Sequence, residues 1–233
     1  MRRGPYHLPP ITYHFLRMPS VALLGATGLV GRHTLDLLAS DKGFERIVAI
    51  ARRKFAEATA PRVEAQIVDV ERLEERPDLF RVDQVICVLG TTIKAVGGSK
   101  PKFRQIDYEI PLTAARLGLK GGARHFLLVS ALGANPGSRI FYNRVKGELE
   151  DTLRTLSYRS VTIVRPSLLL GERAEFRWGE EVAKRFGWIV PGKYKPIHAR
   201  DVAAVLVRAA KADVPGLRII ESDHIRTDYL SSP

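Results

Sequence analysis

The sequence is poor in the residues that hold small secreted or metal-bound proteins together. Its 233 residues include one cysteine, Cys87, which excludes an internal disulfide and a zinc site built on thiolates. No apolar run approaches the roughly 20 residues of a membrane helix. The opening stretch, MRRGPYHLPPITYHFLR, lacks the apolar core of a signal peptide. We therefore expect a soluble, cytoplasmic protein with no membrane partner and no bound metal.

Acidic residues are the minority among the charged ones. The chain has 37 Lys and Arg against 25 Asp and Glu, a formal net charge of +12. Basic chains can bind nucleic acid through its phosphates, but here the cations are scattered over amphipathic segments such as ELEDTLRTLSYR, interleaved with acids. The distribution favours solvated faces over a nucleic-acid site, and part of the excess suits a phosphate-rich cofactor. This distribution of charge excludes neither protein partners nor a homodimer.

Length and composition indicate one domain behind a short extension. With 45% hydrophobic residues, the chain can bury a sizeable core. Residues 1–18 contain three arginines, three prolines and no acid, and show no helical or strand periodicity. We expect a flexible extension over 1–18 and a single domain over 19–233.

Short β-branched runs alternate with amphipathic runs from Ser20 onward. The apolar runs are VALLG, RIVAIA, VEAQIVDV, QVICVLG, HFLLVSA and VTIVRPS; the amphipathic ones include LVGRHTLDLLAS, VERLEER, FRQIDYEIPLTAARLG and FYNRVKGELEDTLRTLS. Strands that are apolar almost throughout and alternate with helices are typical of a parallel sheet covered on both faces. The sequence predicts an α/β fold with a doubly wound parallel sheet.

Three glycines follow the first predicted strand at three-residue spacing, in VALLGATGLVG. This context, a strand before and a helix after, is the one that a dinucleotide-binding turn requires. Gly25 would permit the tight turn, Gly28 would let the backbone approach a pyrophosphate, and Gly31 would pack the helix against the strand. The amides at the helix start supply partial positive charge. The alternative is a purely structural turn.

The ends of the next strands extend this predicted site. RIVAIA ends in Arg52 and Arg53, at the place where NAD-preferring proteins usually have an acidic residue. Two cations there suit a 2′-phosphate and favour NADP(H) over NAD(H). The alternative is that both arginines are solvated loop residues with no role in binding. Asp69 is expected beside the adenine, or else as a helix cap. The fourth strand ends in the small and hydroxylated stretch Leu89-Gly90-Thr91-Thr92, which would leave room for the ribose.

The segment SALGANPGSRIFYNRVK combines a strand-terminal serine with a tyrosine and a lysine four residues apart on a predicted helix. The four-residue spacing places Tyr142 and Lys146 on one face. An ammonium beside a phenol stabilises the phenolate and suits the phenol to proton transfer. Ser130 would orient a substrate oxygen, Tyr142 would move the proton, and Lys146 would also bind the nicotinamide ribose.

Longer segments resemble a known family. GATGLVG, ARRKF, CVLGTTIKAVGGSK, HFLLVSALGANPGSRIFYNRVKGELE and VTIVRPSLLLGER are similar to the atypical short-chain dehydrogenases, specifically the family of the Tat-interactive protein and its bacterial relatives. The resemblance implies a Rossmann-type fold, bound NADPH and the catalytic set Ser130, Tyr142 and Lys146. The cofactor contacts that it implies are Thr27, Gly28, Leu29, Val30, Arg52, Arg53, Leu89, Gly90, Leu169 and Arg177.

One position departs from the wider short-chain dehydrogenase pattern. Many members carry an asparagine on the helix after the fourth strand to complete a proton relay, whereas this chain reads RQIDYEIP, with Asp107. An acid there either holds a water in place of the amide or leaves the relay absent.

The substrate side is expected from about 168 to 198, a segment whose aromatics are either pocket walls or core: Phe176, Trp178, Phe186, Trp188 and Tyr194. Together these features predict an NADP-dependent oxidoreductase that transfers hydride to or from a small carbonyl or alcohol. Two alternatives use the same features: an NADPH-sensing regulatory protein with little turnover, and a sugar-nucleotide epimerase or dehydratase.

Overall fold

The computed structural model describes residues 18–54, 60–170 and 194–225. Apart from Met18, the predicted extension lies outside the described residues, and so does the stretch 171–193 of the predicted substrate side, with Arg177 and four of its five aromatics. No helix of the described part is long and apolar enough to cross a membrane.

Nine strands and five α-helices make up the described chain. In order they are β1 (Ser20–Leu24), α1 (Leu29–Ser40), β2 (Arg46–Ala51), β3 (Val63–Ile67), β4 (Gln84–Cys87), α2 (Lys100–Arg104), α3 (Ile110–Gly121), β5 (His125–Val129), α4 (Phe141–Arg154), β6 (Ser160–Arg165), β7 (Leu169–Leu170), β8 (Ile197–His198), α5 (Ala199–Ala212) and β9 (Gly216–Glu221).

Seven of these strands form one parallel sheet in the order β3-β2-β1-β4-β5-β6-β9. The strands β7 and β8 pair separately. The predicted α/β class with a doubly wound parallel sheet is confirmed. Since the order of connection reverses between β1 and β4, a crevice opens beyond the carboxyl ends of these two strands, where open α/β sheets bind ligands.

Alternate residues of the strands face two hydrophobic cores. Val21 and Leu23 belong to the core that α1 and α5 cover, whereas Ala22 and Leu24 belong to the core that α3 and α4 cover. All four side chains are fully buried. Burial on both faces explains why the strands are apolar almost throughout.

The segment after β3 differs from its prediction. VERLEER, expected to be an amphipathic helix, forms 3₁₀ turns over Val70–Glu75. Arg72 leaves helical backbone angles (φ −121°, ψ 33°), and Pro77 starts the next short turn, so the chain cannot continue as one α-helix.

Two other elements also differ from prediction. The helix expected to begin near Phe103 begins at Lys100, capped by the Ser99 hydroxyl, and passes through a π turn at Gln105–Glu109 before α3. The strand β9 was not predicted. It lies at the edge of the sheet, and its first half is exposed to solvent, so it lacks the continuous apolar pattern of the inner strands.

A buried histidine gives the fold a predictable response to acid. His125 opens β5; its Nε2 lies 2.9 Å from the Thr162 hydroxyl and its Nδ1 lies 3.3 Å from a carboxylate oxygen of Asp213. Burial lowers the pKa of His125 to about 4, since Asp213 offsets it only in part and Arg159 and Arg218 add to it. An unfolded histidine titrates near pH ~6.5, so the unfolded chain binds more protons between these two values.

The free energy of unfolding should therefore fall by about 1–3 kcal/mol as the pH drops from ~6.5 to ~4. Urea unfolding at a series of pH values measures this. In a His125→Gln variant, which has no titrating group at this position, the fall should be smaller by about this amount, because only the ion-paired carboxylates then contribute. Equal pH dependence in the two proteins would show that His125 is not responsible.

Candidate cofactor and active site

A cavity of about 460 Å³ occupies the crevice beyond β1, β2 and β4. Its walls come from the glycine-rich turn, the end of β2 and the end of β4. Seven predicted cofactor residues line it: Gly25, Thr27, Gly28, Arg52, Arg53, Leu89 and Gly90. The structure thus brings together the glycine-rich turn, the two arginines after β2 and the residues after β4, which are seven of the sixteen predicted cofactor residues.

Two of the three glycines are required by close backbone approach. Gly25 has a positive φ of 94°, and a Cβ there would lie 3.0 Å from the backbone nitrogen of Leu89. A Cβ on Gly31 would lie 2.0 Å from the carbonyl oxygen of Gly25, so no side chain fits. Gly28 is the N-cap of α1 and makes no side-chain cap, which leaves the first amides of the helix available for an anion.

The cavity is strongly cationic where the predicted 2′-phosphate would lie. Arg32, Arg52, Arg53 and Lys54 all line it, and none of its described lining residues is acidic. Phosphate groups are bound well by clustered guanidinium and ammonium groups. Arg32 and Lys54 were not singled out from the sequence, although Arg32 directly follows Gly31.

Other predicted cofactor residues are not among those that line the cavity. Leu29, Val30 and Gly31 form the first turn of α1. Leu169 lies in β7 and packs against the core. The Asp69 carboxylate accepts a hydrogen bond from the Glu71 amide, 3.0 Å away; this is the capping role named as the alternative, and its adenine contact stays a prediction.

Tyr142 and Lys146 lie on one face of α4, and both meet the preceding helical segment. The Tyr142 ring packs against Phe103 with centroids 5.3 Å apart. The Lys146 Nζ lies 2.8 Å from Oδ1 of Asp107. The other oxygen, Oδ2, accepts a hydrogen bond of 2.9 Å from the amide of Thr91. Asp107 therefore connects α4 to the loop that follows β4.

This ion pair is almost completely buried, with Lys146 3% exposed and Asp107 0%. Burial by itself disfavours the ammonium, but the charge of Asp107, together with Tyr142, outweighs that effect and raises the pKa of Lys146 above its ordinary value. The pair lies directly beneath Gly90: a Cβ there would be 3.6 Å from Nζ of Lys146 and 3.4 Å from Oδ1 of Asp107.

Ser130 directly follows β5, but its hydroxyl donates a hydrogen bond to Glu150 on α4. Glu150 also binds the guanidinium of Arg165, which in turn contacts Glu221 at 2.8 Å. The hydrogen bond to Glu150 raises the pKa of Arg165. Ser130 is therefore part of a buried polar network, and its predicted role in orienting a substrate stays a prediction. Glu150 and Arg165 were not identified from the sequence.

A second cavity of about 970 Å³ lies beside Tyr142. Apolar residues form much of its described wall, among them Ile93, Leu132 and Leu168. The polar side chains in this wall are Thr92, Tyr142, Asn143, Arg165, Ser167, Tyr194, Glu221 and Asp223. Its position beside the phenol makes it the candidate substrate cavity.

The sequence profile of the NAD(P)H-binding family matches residues 25–213. The chain belongs to the NAD(P)H-binding family. This match includes the three glycines of the turn, every residue that lines the first cavity, and the whole of α4 and α5. Membership of the family therefore agrees with the geometry of the crevice.

Named relatives are similar to this family member over most of its length. Protein HTATIP2 of Rattus norvegicus is 34% identical over 190 residues, covering 80% of this chain and 78% of the rat protein. Protein FMP52, mitochondrial, of Candida albicans is 33% identical over 208 residues, covering 84% and 90%. The compartment in which the present chain works stays a prediction.

Solved structures share the fold at low sequence identity. MoeE5 in complex with UDP-glucose and NAD superposes with a TM-score of 0.68 at 14% identity, covering 91% of this chain and 82% of that one. The protein gox2181 superposes with a TM-score of 0.67 at 18% identity, covering 91% and 98%. At this low identity, these similarities support the fold of the chain and nothing further.

Two glycine variants should separate packing from ligand binding. Gly31→Ala forces a methyl group into the Gly25 carbonyl and should lower the free energy of unfolding by about 1–3 kcal/mol. Gly28→Ala meets the same oxygen at 3.3 Å and should cost about 1 kcal/mol or less, yet it adds a methyl group to the cavity wall.

Urea unfolding and a fluorescence titration with NADPH measure the two effects. We expect Gly28→Ala to lose cofactor affinity at nearly wild-type stability, whereas Gly31→Ala should lose stability, and affinity only through displacement of the Gly25 carbonyl. Wild-type affinity in Gly28→Ala would contradict the placement of the pyrophosphate at the start of α1.

Proposed function

We propose that this family member is an NADPH-dependent oxidoreductase that acts on a small carbonyl or alcohol. The observation that carries the proposal is the adjacency of two cavities, one cationic and lined by the glycine-rich turn, the other lined by the phenol of Tyr142. The buried ammonium of Lys146 lies between them, beneath Gly90.

The residues present fit the cofactor. Gly25 and Gly28 would receive the pyrophosphate at the start of α1, and Arg52 and Arg53, helped by Arg32, would hold the 2′-phosphate. Leu89 and Gly90 would border the nicotinamide half. A bound nicotinamide would supply or accept the hydride.

The chain's own groups would handle the proton and the substrate. Tyr142 lines the second cavity, and its phenol would give its proton to a carbonyl oxygen, or take one from an alcohol. Lys146 would stabilise the phenolate by its positive charge. The apolar residues of the cavity would exclude water from the reacting atoms.

Two hydroxyl groups are candidates for orienting the substrate oxygen. Ser130 would have to leave Glu150 in order to do so. Thr92 already lines the cavity of Tyr142, and its hydroxyl oxygen accepts the Ala95 amide at 3.1 Å, which leaves its proton to be donated. We keep Ser130 as the predicted residue and add Thr92 as its alternative.

A nucleotide-sugar substrate is not favoured by the described wall of the second cavity. Its cation there is Arg165, which is bound by Glu150 and Glu221. A diphosphate needs cations that are available to it. We keep the epimerase or dehydratase as the alternative to the oxidoreductase.

Arg52 and Arg53 should determine the preference between the two nicotinamide cofactors. Replacing both by alanine removes charge-assisted hydrogen bonds to a 2′-phosphate, each worth roughly 1.5–3 kcal/mol. NADPH affinity should fall at least about tenfold more than NADH affinity. Calorimetric titration with both nucleotides measures this, with Arg154→Ala, an exposed arginine at the end of α4, as the control. Equal losses for the two nucleotides would remove the 2′-phosphate assignment.

Tyr142→Phe should separate an enzyme from a cofactor sensor. The variant keeps the ring against Phe103 and removes only the hydroxyl, so NADPH affinity should stay within about twofold while carbonyl reduction falls by about 10²–10⁴-fold. NADPH consumption with a panel of aldehydes and ketones measures the rate. A wild-type protein that binds NADPH tightly, reduces none of the panel and is unaffected by the substitution would instead be a sensor.

A further inference from the structure

The segment from α2 through the π turn meets α4 at two points. Phe103 packs against the Tyr142 ring, and Asp107, four residues later, pairs with Lys146, four residues after Tyr142. One segment therefore contacts two of the three predicted catalytic side chains. The π turn at Gln105–Glu109 contains Asp107, and π turns inside helices are frequent at functional sites.

Asp107 has no solvent to stabilise its charge, being 0% exposed. Its two carboxylate oxygens have separate partners: Oδ1 lies 2.8 Å from Nζ of Lys146, and Oδ2 accepts the Thr91 amide at 2.9 Å. These partners belong to different parts of the fold, so the carboxylate joins the lysine of α4 to the loop after β4, which carries Leu89 and Gly90.

We propose that Asp107 is the positioning residue of the active site: it holds the Lys146 ammonium beneath Gly90, between the cofactor cavity and Tyr142. This inference rests on the proposed cofactor site. It also accounts for the acidic residue at a position where many short-chain dehydrogenases carry asparagine, because the carboxylate binds the lysine directly.

The electrostatics explain why an acid is needed. A lone ammonium at 3% exposure would be strongly disfavoured by burial and would tend to lose its proton. The titratable groups that act on Lys146 are Asp107 from the π turn, Tyr142 from its own helix and Cys87 from β4. Burial raises the pKa of Cys87 to about 11, which leaves Asp107 as the counter-charge near neutral pH.

Asp107→Asn tests the proposal because it keeps the size of the side chain and an oxygen for the Thr91 amide but removes the charge. Without the carboxylate, Lys146 should give up its proton at a lower pH. The readout is the dissociation constant of NADPH, measured by fluorescence between pH ~7 and ~10, which requires no turnover.

In the wild-type protein we expect affinity to be nearly constant over most of this range. In Asp107→Asn the affinity should fall at least about fivefold, and the fall should begin at a pH at least about one unit lower than in the wild type. The double variant Asp107→Asn with Lys146→Met has no ammonium to titrate and should lose this pH dependence. The matched control is Glu148→Gln, which removes a half-buried ion pair between this residue of α4 and Arg104 of α2.

Two results would overturn the proposal. One is a pH profile of Asp107→Asn that overlays the wild type. The other is a pH dependence that persists in the double variant, since it could then not come from Lys146. Absence of NADPH binding by the wild-type protein would instead refute the proposed function, so the two failures are distinguishable.

A folding defect in Asp107→Asn would also be informative. If the single variant unfolds because it leaves a buried ammonium unpaired, the double variant with Lys146→Met should recover a cooperative thermal transition. A double variant that remained unfolded would show that Asp107 acts on packing and not through Lys146, and would also overturn the proposal.

Discussion

The architecture around the crevice depends on one buried pair of opposite charges. Neither Lys146 nor Asp107 has appreciable access to water, and a buried charge is tolerated only when its partner is close. The pair therefore allows one arrangement of three elements: the helix α4, the π turn and the end of β4. Since Tyr142 belongs to the first of these and Gly90 to the third, the relative position of phenol and cofactor wall is set by electrostatics as well as by packing.

Close contact between backbone segments is a second constraint on the architecture around the crevice. A Cβ on Gly31 would overlap the Gly25 carbonyl, and a Cβ on Gly147 would lie 2.3 Å from the backbone nitrogen of Pro136. The first contact fixes α1 against the glycine-rich turn, and the second fixes α4 against the loop after β5. Both helices that border the crevice are thus positioned by glycines in direct contact with another segment, which leaves little freedom for the side chains they carry.

The features that could be predicted from the sequence are those that depend only on residues close together along the chain. Strand and helix periodicity, the spacing of the three glycines and the Tyr142–Lys146 interval all express one element's own geometry. Partners from distant elements were not predictable in this way. Asp107 departs from the short-chain dehydrogenase pattern in the sequence itself, but its contact with Lys146 depends on the π turn, which the sequence does not predict. Ser130 is bound by Glu150, twenty residues further on, and no local pattern indicates such a pairing. The edge strand β9 was missed because its exposed half lacks an apolar pattern.

The two cavities of the crevice differ in the charge of their lining residues. The first cavity has four cationic lining residues and no acidic one among those described. In the described wall of the second, Arg165 is accompanied by Glu221 and Asp223. Between the cavities, Lys146 and Asp107 cancel each other. Among the described residues, the clustered cations that could attract an anionic, phosphate-rich ligand are those of the first cavity. Under the proposed function, a dinucleotide held there by its phosphates would direct its nicotinamide ring toward Tyr142, which is the orientation that a proton-transferring phenol requires.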